Sequence, residues 1–267
     1  MIKHIFSDMD GTLLQSDCKL SESNAQVIRD SQIPFTLVSA RSPMEMTEAI
    51  AKLELTEPQI AFNGGLIFQE VANEIKVLKE DSINLQSVQA ILNVIVKNFP
   101  DVSYSLYDMS HWYIEKMDKG AKYEAELGGQ TPTLTDFVSL LKQDDTEIYK
   151  IMLISFDLQE MKTLTEKLKH LELPDVSINQ SSENYLEVTS NLAQKSRGIK
   201  FIQELEHLNK ADMAAFGDGY NDLSMLEMVG TPIVMDNALE GVRAYGKHIT
   251  KSNDEDGVAY GIQKFLL

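Results

Sequence analysis

Apolar residues along this chain follow two periods, and the places where one gives way to the other divide it. Short runs in which nearly every position is apolar stand at 1–6, 34–38, 59–62, 213–216 and 231–235. Runs of that length without alternation predict strands buried on both faces, as in parallel sheets. Between them, Ala25, Val27 and Ile28 predict a helix over 22–30, and a second is expected over 43–53. Three signals start the second: Ser42 can cap, Pro43 suits the first position and Glu45 closes a capping box. Ile199, Ile202, Leu205 and Leu208 predict a helix over 194–208, and shorter helices are expected over 223–228, 239–245 and 258–266. Asn63-Gly64, lying between apolar runs at 59–62 and 66–69, predicts a hairpin turn, and 248–250 reads as a strand closing the sheet.

Between 82 and 188 the order changes. Leu85, Val88, Ile91, Leu92 and Ile95 predict a helix over 84–99 that Pro100 stops. Strands are expected at 102–107, 111–115, 148–156, 176–179 and 185–188, and helices at 119–127, 134–142 and 158–171. Tyr104, Tyr107 and Trp112 are expected to pack within this part rather than stack on a ligand. The alternation in the flanks predicts an α/β fold with a Rossmann-like parallel sheet, and the mixture in the middle an inserted α+β domain. The expected division is 1–81 with 189–267 as the core and 82–188 as the insert. There is no internal repeat or low-complexity tract.

Composition narrows the classes of function. The chain has 267 residues, 43% hydrophobic and 24% charged, and no apolar stretch near the roughly 18 residues that span a bilayer. No basic segment followed by an apolar run and a small-residue cleavage site stands at the start, so a cytoplasmic protein is expected. Cys18 is the one cysteine, which rules out an intrachain disulfide. Lys and Arg number 24 against 41 Asp and Glu, and 24 − 41 gives −17. So acidic a chain is not expected to bind nucleic acid or an anionic membrane. Arg29, Arg41, Arg197 and Arg243 all lie outside the insert, so an anion anchor is expected in the flanks. The scattered histidines offer no zinc-ligand spacing.

The candidate chemistry begins where the first apolar run ends, at Asp8-Met9-Asp10-Gly11-Thr12-Leu13-Leu14. Residues i and i+2 of an extended chain point to the same side, so Asp8 and Asp10 would stand together at the carboxyl end of a strand. Two carboxylates so close repel, and a hard, oxygen-ligated cation such as Mg²⁺ would offset the repulsion. Ser39 ends the second run just before a helix N-terminus, a place where a hydroxyl and backbone N–H groups converge on an anion. Lys195 lies in the first turn of a helix, where its charge opposes the helix dipole unless an anion sits nearby; Arg197 is the alternative anion ligand. Gly217-Asp218-Gly219-Tyr220-Asn221-Asp222 follows the fourth run, and its glycines let backbone approach a ligand while its side chains offer oxygen to a metal.

In this order, Asp8-Met9-Asp10-Gly11-Thr12, Ser39, Lys195 and the loop 217–222 resemble the four motifs of the haloacid dehalogenase-like hydrolases. Asn63-Gly64, Val234-Met235-Asp236-Asn237-Ala238 and the segment 252–258 resemble the Cof-type phosphatase branch. Ser39-Ala40-Arg41 stands where Thr-Gly-Arg is frequent, Ser196 where glycine commonly follows the lysine, and Asp236 where Met-Gly-Asn-Ala is usual. None of these departures removes a catalytic group. The resemblance implies a Mg²⁺-dependent phosphatase for small phosphorylated metabolites, with Asp8 as nucleophile and Asp10 as general acid and base. It further implies that Mg²⁺ is held by Asp8, the Asp10 carbonyl and Asp218, with Asp222 behind a coordinated water. Ser39, Lys195, Asn221 and the N–H groups of Met9 and Ala40 would hold the phosphoryl group. It also implies that the insert is a cap that limits the substrate. The alternatives are a phosphomutase, a sugar-phosphate sensor without activity and, from another class, a signalling receiver domain; the position of Asp10 and the length of the insert argue against the last.

Overall fold

A computed structural model describes residues 1–71 and 74–267. In chain order its elements are β1 (His4–Ser7), α1 (Glu22–Ser31), β2 (Phe35–Leu37), α2 (Pro43–Leu53), β3 (Gln59–Ala61), β4 (Leu66–Val71) and β5 (Glu74–Glu80). Then come α3 (Leu85–Asn98), β6 (Ser103–Tyr107), β7 (Trp112–Ile114), α4 (Lys119–Gly128), β8 (Thr133–Leu134), α5 (Phe137–Leu140), β9 (Lys150–Ile154), α6 (Leu158–Lys169), β10 (Val176–Ser182) and β11 (Tyr185–Ser190). The last part holds α7 (Lys195–Leu205), β12 (Met213–Gly217), α8 (Leu223–Met228), β13 (Thr231–Val234), α9 (Glu240–Arg243), β14 (His248–Ile249) and α10 (Gly257–Gly261). The described residues form two compact units, one of Met1–Arg41, Met46–Glu80 and Gln194–Leu267, the other of Ser42–Glu45 and Asp81–Ala193. Among the described residues no helix is long and apolar enough to cross a membrane.

The first unit is built on a parallel sheet of order β14-β13-β12-β1-β2. β1 lies between β2 and β12, so its four residues are all buried, and that explains the unbroken apolar run. β3, β4 and β5 form an antiparallel sheet of their own, and a bridge from Val38 to Ile60 runs it on from β2. Gly198 lets α7 close on β3, since a Cβ there would stand 2.8 Å from Ile60 Cγ2. That approach fixes where the first residue of α7, Lys195, can reach. Across the sheet, the ring of buried His4 meets Glu206 through Nδ1 at 2.8 Å and Thr36 through Nε2 at 2.9 Å.

The second unit carries a mixed sheet of order β10-β11-β9-β6-β7-β8. Leu106, Ile151, Leu153, Leu186 and Val188 share one face and pack with Val88, Ile91 and Ile95 of α3 and Met161, Leu164 and Leu168 of α6. The register sets Tyr107, Lys150 and Thr189 side by side, out of phase with that apolar face. Trp112 is buried and stacked on Tyr107, with ring centres 6.1 Å apart, and Tyr104 donates its hydroxyl to Glu115, so all three aromatics are packed. The helix expected over 134–142 does not form as one piece. Leu134 pairs beside Ile114 in β8, and Asp136 then caps the short α5 by accepting the Ser139 N–H. Strand β5 is not marked in the sequence, because Ile75 and Val77 alternate with Glu74 and Lys76 for only four residues before Leu78 and Lys79 break the period.

Candidate active site

The loop after β1 is held at both of its ends. Asp8 continues the pairing of β1 with β12 by donating its N–H to Phe216 O at 3.1 Å, and Ser7 Oγ donates to the Asp8 carbonyl. The Met9 carbonyl accepts from Leu14 N–H at 2.8 Å, which closes the loop. Gly11, at φ +75°, lies against Asp218, and a Cβ in its place would stand 2.5 Å from that carboxylate. Thr12, fully buried, donates its hydroxyl to the same carboxylate at 2.6 Å. The C-terminal motifs clasp the loop from outside. Asn237 Nδ2 donates to Gly11 O and Asn253 Nδ2 to Leu14 O, while the Asp254 carboxylate accepts both the N–H and the hydroxyl of Ser16.

Lys195 occupies the middle of the site. It is 1% exposed, and its Nζ lies 2.7 Å from both Asp8 Oδ1 and Asp222 Oδ1. Asp222 is fully buried, and its other oxygen accepts the N–H groups of Asp218 and Gly219, each at 2.9 Å. Asp222 is thus a buried anchor that ties Lys195 to the loop carrying Asp218. Oxygens of Asp8, Asp218 and Asp222 all lie within 4.8 Å of one another.

Three carboxylates crowd against one ammonium, and their proton affinities reflect it. Burial, helped by the charge of Asp222 and opposed by Lys195, holds the Asp8 carboxyl well above the ordinary range. Asp218 is pushed up to about 6, first by burial, with Asp222 adding to the effect and the Thr12 hydrogen bond opposing it. Burial pulls the Lys195 value down, but Asp222 and Asp8 outweigh it and hold the amine protonated. Three negative charges less one positive leave an excess of two when all are ionised. A divalent cation would cancel that excess, and a donor set made of carboxylate oxygens suits a hard ion.

Asp10, expected beside Asp8, lies outside this cluster, though its charge is felt by both Asp8 and Asp218. Its side chain is 53% exposed and receives a two-pronged hydrogen bond from Arg41, Nε to Oδ2 at 2.9 Å and Nη2 to Oδ1 at 2.6 Å. Ser39 is fully buried, and its hydroxyl accepts Arg41 N–H at 3.1 Å. Met9 is buried in the loop after β1, Ala40 follows Ser39 after β2, and exposed Asn221 follows β12 in the turn Tyr220–Asp222. All these loops leave the carboxyl ends of parallel strands, where sheets of this class bind ligands. Arg197 is exposed, whereas Lys195 is buried among the carboxylates. Sequence reasoning missed the pairing of Arg41 with Asp10 and of Thr12 with Asp218. Thr12 belonged to a quoted motif, but nothing local in the chain announces either contact.

A family model described as haloacid dehalogenase-like hydrolase matches residues 5–262. The chain belongs to this family. Over 99% of its length and 98% of the relative's, this haloacid dehalogenase-like chain is 28% identical to the 5-amino-6-(5-phospho-D-ribitylamino)uracil phosphatase YwtE of Bacillus subtilis. It matches a haloacid dehalogenase-like hydrolase of Bacteroides thetaiotaomicron with a TM-score of 0.89 at 26% identity, covering 99% of each chain. The subclass IIB sugar phosphatase BT4131 shares the fold, with a TM-score of 0.80 at 20% identity over 98% of both chains. The haloacid dehalogenase-like chain is therefore a Cof-type phosphatase, a phosphoric monoester hydrolase. It has the parallel core sheet and the inserted mixed-sheet cap of that branch.

Proposed function

We propose that this phosphatase hydrolyses sugar phosphates or phosphorylated cofactors through a phosphoaspartate on Asp8, with Mg²⁺ as its cation. The observation that carries the reading is the cluster of buried Asp8 and Asp222 and half-buried Asp218 around Lys195. In the first half-reaction an Asp8 oxygen attacks phosphorus and the ester P–O bond breaks, while Asp10 gives a proton to the departing alkoxide. In the second, Asp10 takes a proton from water as the water oxygen attacks phosphorus. The bond to Asp8 then breaks and inorganic phosphate leaves. Ser39, Lys195, Asn221 and the N–H groups of Met9 and Ala40 hold the phosphoryl oxygens, and Arg41 fixes the position of Asp10. Asp8, the Asp10 carbonyl and Asp218 would hold Mg²⁺, with Asp222 behind a coordinated water; the ion supplies positive charge against the phosphoryl oxygens.

Release of phosphate from p-nitrophenyl phosphate tests the reading. It is expected to need Mg²⁺ and to stop with EDTA, and full activity after thorough metal removal would contradict the reading. The Mg²⁺ requirement should also move with pH. Both Asp8 and Asp218 have raised values, so each keeps its proton to a higher pH than usual, and below about 6 the metal must displace a proton from Asp218. Activation curves at pH 5 and pH 7 are expected to show at least about tenfold weaker Mg²⁺ binding at the lower pH. An unchanged midpoint would separate the metal from these carboxylates.

The insert, in the same proposal, reads the leaving group by shape, hydroxyls and lysines. It has no arginine, and its Lys150 is 4% exposed, with Nζ 4.3 Å from the centre of the Tyr107 ring. Glu124 accepts the Tyr185 hydroxyl at 2.6 Å, and burial raises its carboxyl. Without a guanidinium fork, a second phosphate should gain little. Across a panel, kcat/KM for a sugar bisphosphate is expected within about threefold of its monophosphate, and a folded phosphoprotein about a hundredfold or more below the best small substrate. Comparable rates on the phosphoprotein would refute selection by the insert.

A further inference from the structure

Gly11 is the loosest link in the loop that follows β1. Its φ of +75° and its approach to Asp218, where a Cβ would stand 2.5 Å from Oδ2, leave no room for a side chain while Asp218 stays where it is. A residue without a Cβ also has the widest backbone freedom, so its peptide planes stay fixed only if something outside the residue holds them. The direction of those planes matters on both sides. The carbonyl before Gly11 belongs to Asp10, and the residue after it is Thr12, whose hydroxyl donates to Asp218 at 2.6 Å. A rotation about Gly11 therefore moves the Asp10 carbonyl and Asp218 relative to one another.

Asn237 supplies the restraint. Its Nδ2 donates to the Gly11 carbonyl at 2.8 Å and its Oδ1 accepts Asn253 N–H at 3.0 Å, so both ends of the amide are used although the residue is exposed. The backbone that carries Asn237 is itself bonded to the Asp218 loop. Met235 N–H donates to Gly217 O at 3.1 Å, and Leu239 N–H donates to Asp218 O at 3.2 Å. Between them, Arg243 donates through Nη1 to the Asp236 carbonyl at 2.6 Å and through Nη2 to the Asp236 carboxylate at 3.0 Å. The segment 235–239 is thus a bracket fastened by main chain to one loop and by a single amide to the other. Asn24 and Asn253 hold the Leu13 and Leu14 carbonyls in the same manner, but both of these lie beyond Thr12. We propose that Asn237 is a positioning residue for the metal site, which sets the Asp10 carbonyl against Asp218 by way of the Gly11 carbonyl. This rests on the reading in which Asp8, the Asp10 carbonyl and Asp218 hold Mg²⁺. Groups that orient metal ligands without touching the ion change its affinity by about tenfold or more when they are removed.

Titration calorimetry of the full chain with MgCl₂ reads the affinity for the ion without any turnover. Asn237→Ala is expected to bind Mg²⁺ about tenfold more weakly than the wild type. Because the residue is exposed, the unfolding midpoint of this variant in Mg²⁺-free buffer should stay within about 3 °C of the wild type. Asn237→Gln keeps the amide one methylene further out, where an exposed site has room for it, and should return the affinity to within about threefold of the wild type. A change under about threefold in Asn237→Ala, whatever its midpoint, would make the residue merely structural and overturn the proposal. Failure of Asn237→Gln to recover the affinity would overturn the role of the amide donor. Asp218→Asn in the same titration tells the two readings apart. Wild-type chain that binds no Mg²⁺, or binding that survives Asp218→Asn, would overturn the metal reading and this proposal with it, whereas binding lost in Asp218→Asn leaves Asn237→Ala to decide Asn237 alone.

Discussion

Asp8→Asn is expected to lower phosphate release at least about 10⁴-fold, the scale of losing a nucleophile, while the chain stays folded. An amide cannot attack phosphorus usefully, and no other carboxylate can replace Asp8 without moving the loop. Asp222 is tied to Lys195 and to two backbone N–H groups, and Asp218 to Thr12. The substitution should also leave a mark on stability. Because the Asp8 carboxyl is held well above its ordinary value, its ionisation at neutral pH works against folding in the absence of metal. That contribution is present above the raised value and is relieved as pH falls through it. The asparagine form should therefore unfold at the same or a higher temperature than the wild type in Mg²⁺-free buffer at pH 7. Measurable turnover by pure, folded Asp8→Asn protein would remove Asp8 from the nucleophile's place, and a large fall in the unfolding midpoint would contradict the charge argument.

Lys195→Ala should cost both rate and stability. Losing one preorganised positive group near the phosphoryl oxygens is expected to slow turnover about 10²–10³-fold. Removing the ammonium also leaves Asp8 and Asp222 buried without a counter-charge, which costs about 3–5 kcal/mol. Lower pH or Mg²⁺ should restore part of the lost stability, since either relieves the exposed repulsion. Thermal unfolding at two pH values, with and without Mg²⁺, checks the second effect, and single-turnover rates on the folded variant check the first. A rate loss under about threefold would show that Lys195 organises the site without acting on the phosphoryl group.

How far the chain could be read depended on whether a feature was local. The buried runs that became β1, β2, β12 and β13 were plain because both faces of each strand are covered, and the Ser42 to Glu45 start of α2 appears with Glu45 Oε2 accepting Ser42 N–H at 2.7 Å. The α/β core and mixed insert followed from the order of such runs. Asn63-Gly64 marked the right place and the wrong geometry, since Ala61 pairs with Leu66 and a helical turn, Phe62–Gly64, fills the gap instead of a two-residue hairpin loop. Composition cannot show that Gly64 of this turn lies against Gln194, more than a hundred positions away. The same holds for Arg41 and Asp10, 31 residues apart, and for Thr12 and Asp218, 206 apart. Of the site, the motif-bearing residues were legible one by one, and the anchoring role of Asp222 needed the fold.

The clasp on the loop that carries Asp8 has a bearing on how the protein is made. Asp8 is made more than 200 residues before β12, which begins at Met213, and Asn237, Asn253 and Asp254, which grip Gly11, Leu14 and Ser16, come later still. Until those residues emerge, β1 has β2 on one side but lacks β12 on the other, and the loop lacks its outer hydrogen bonds, so a growing chain holds the Asp8 carboxylate without the means to aim it. The loop is set only when segments more than 200 residues apart in the chain have joined.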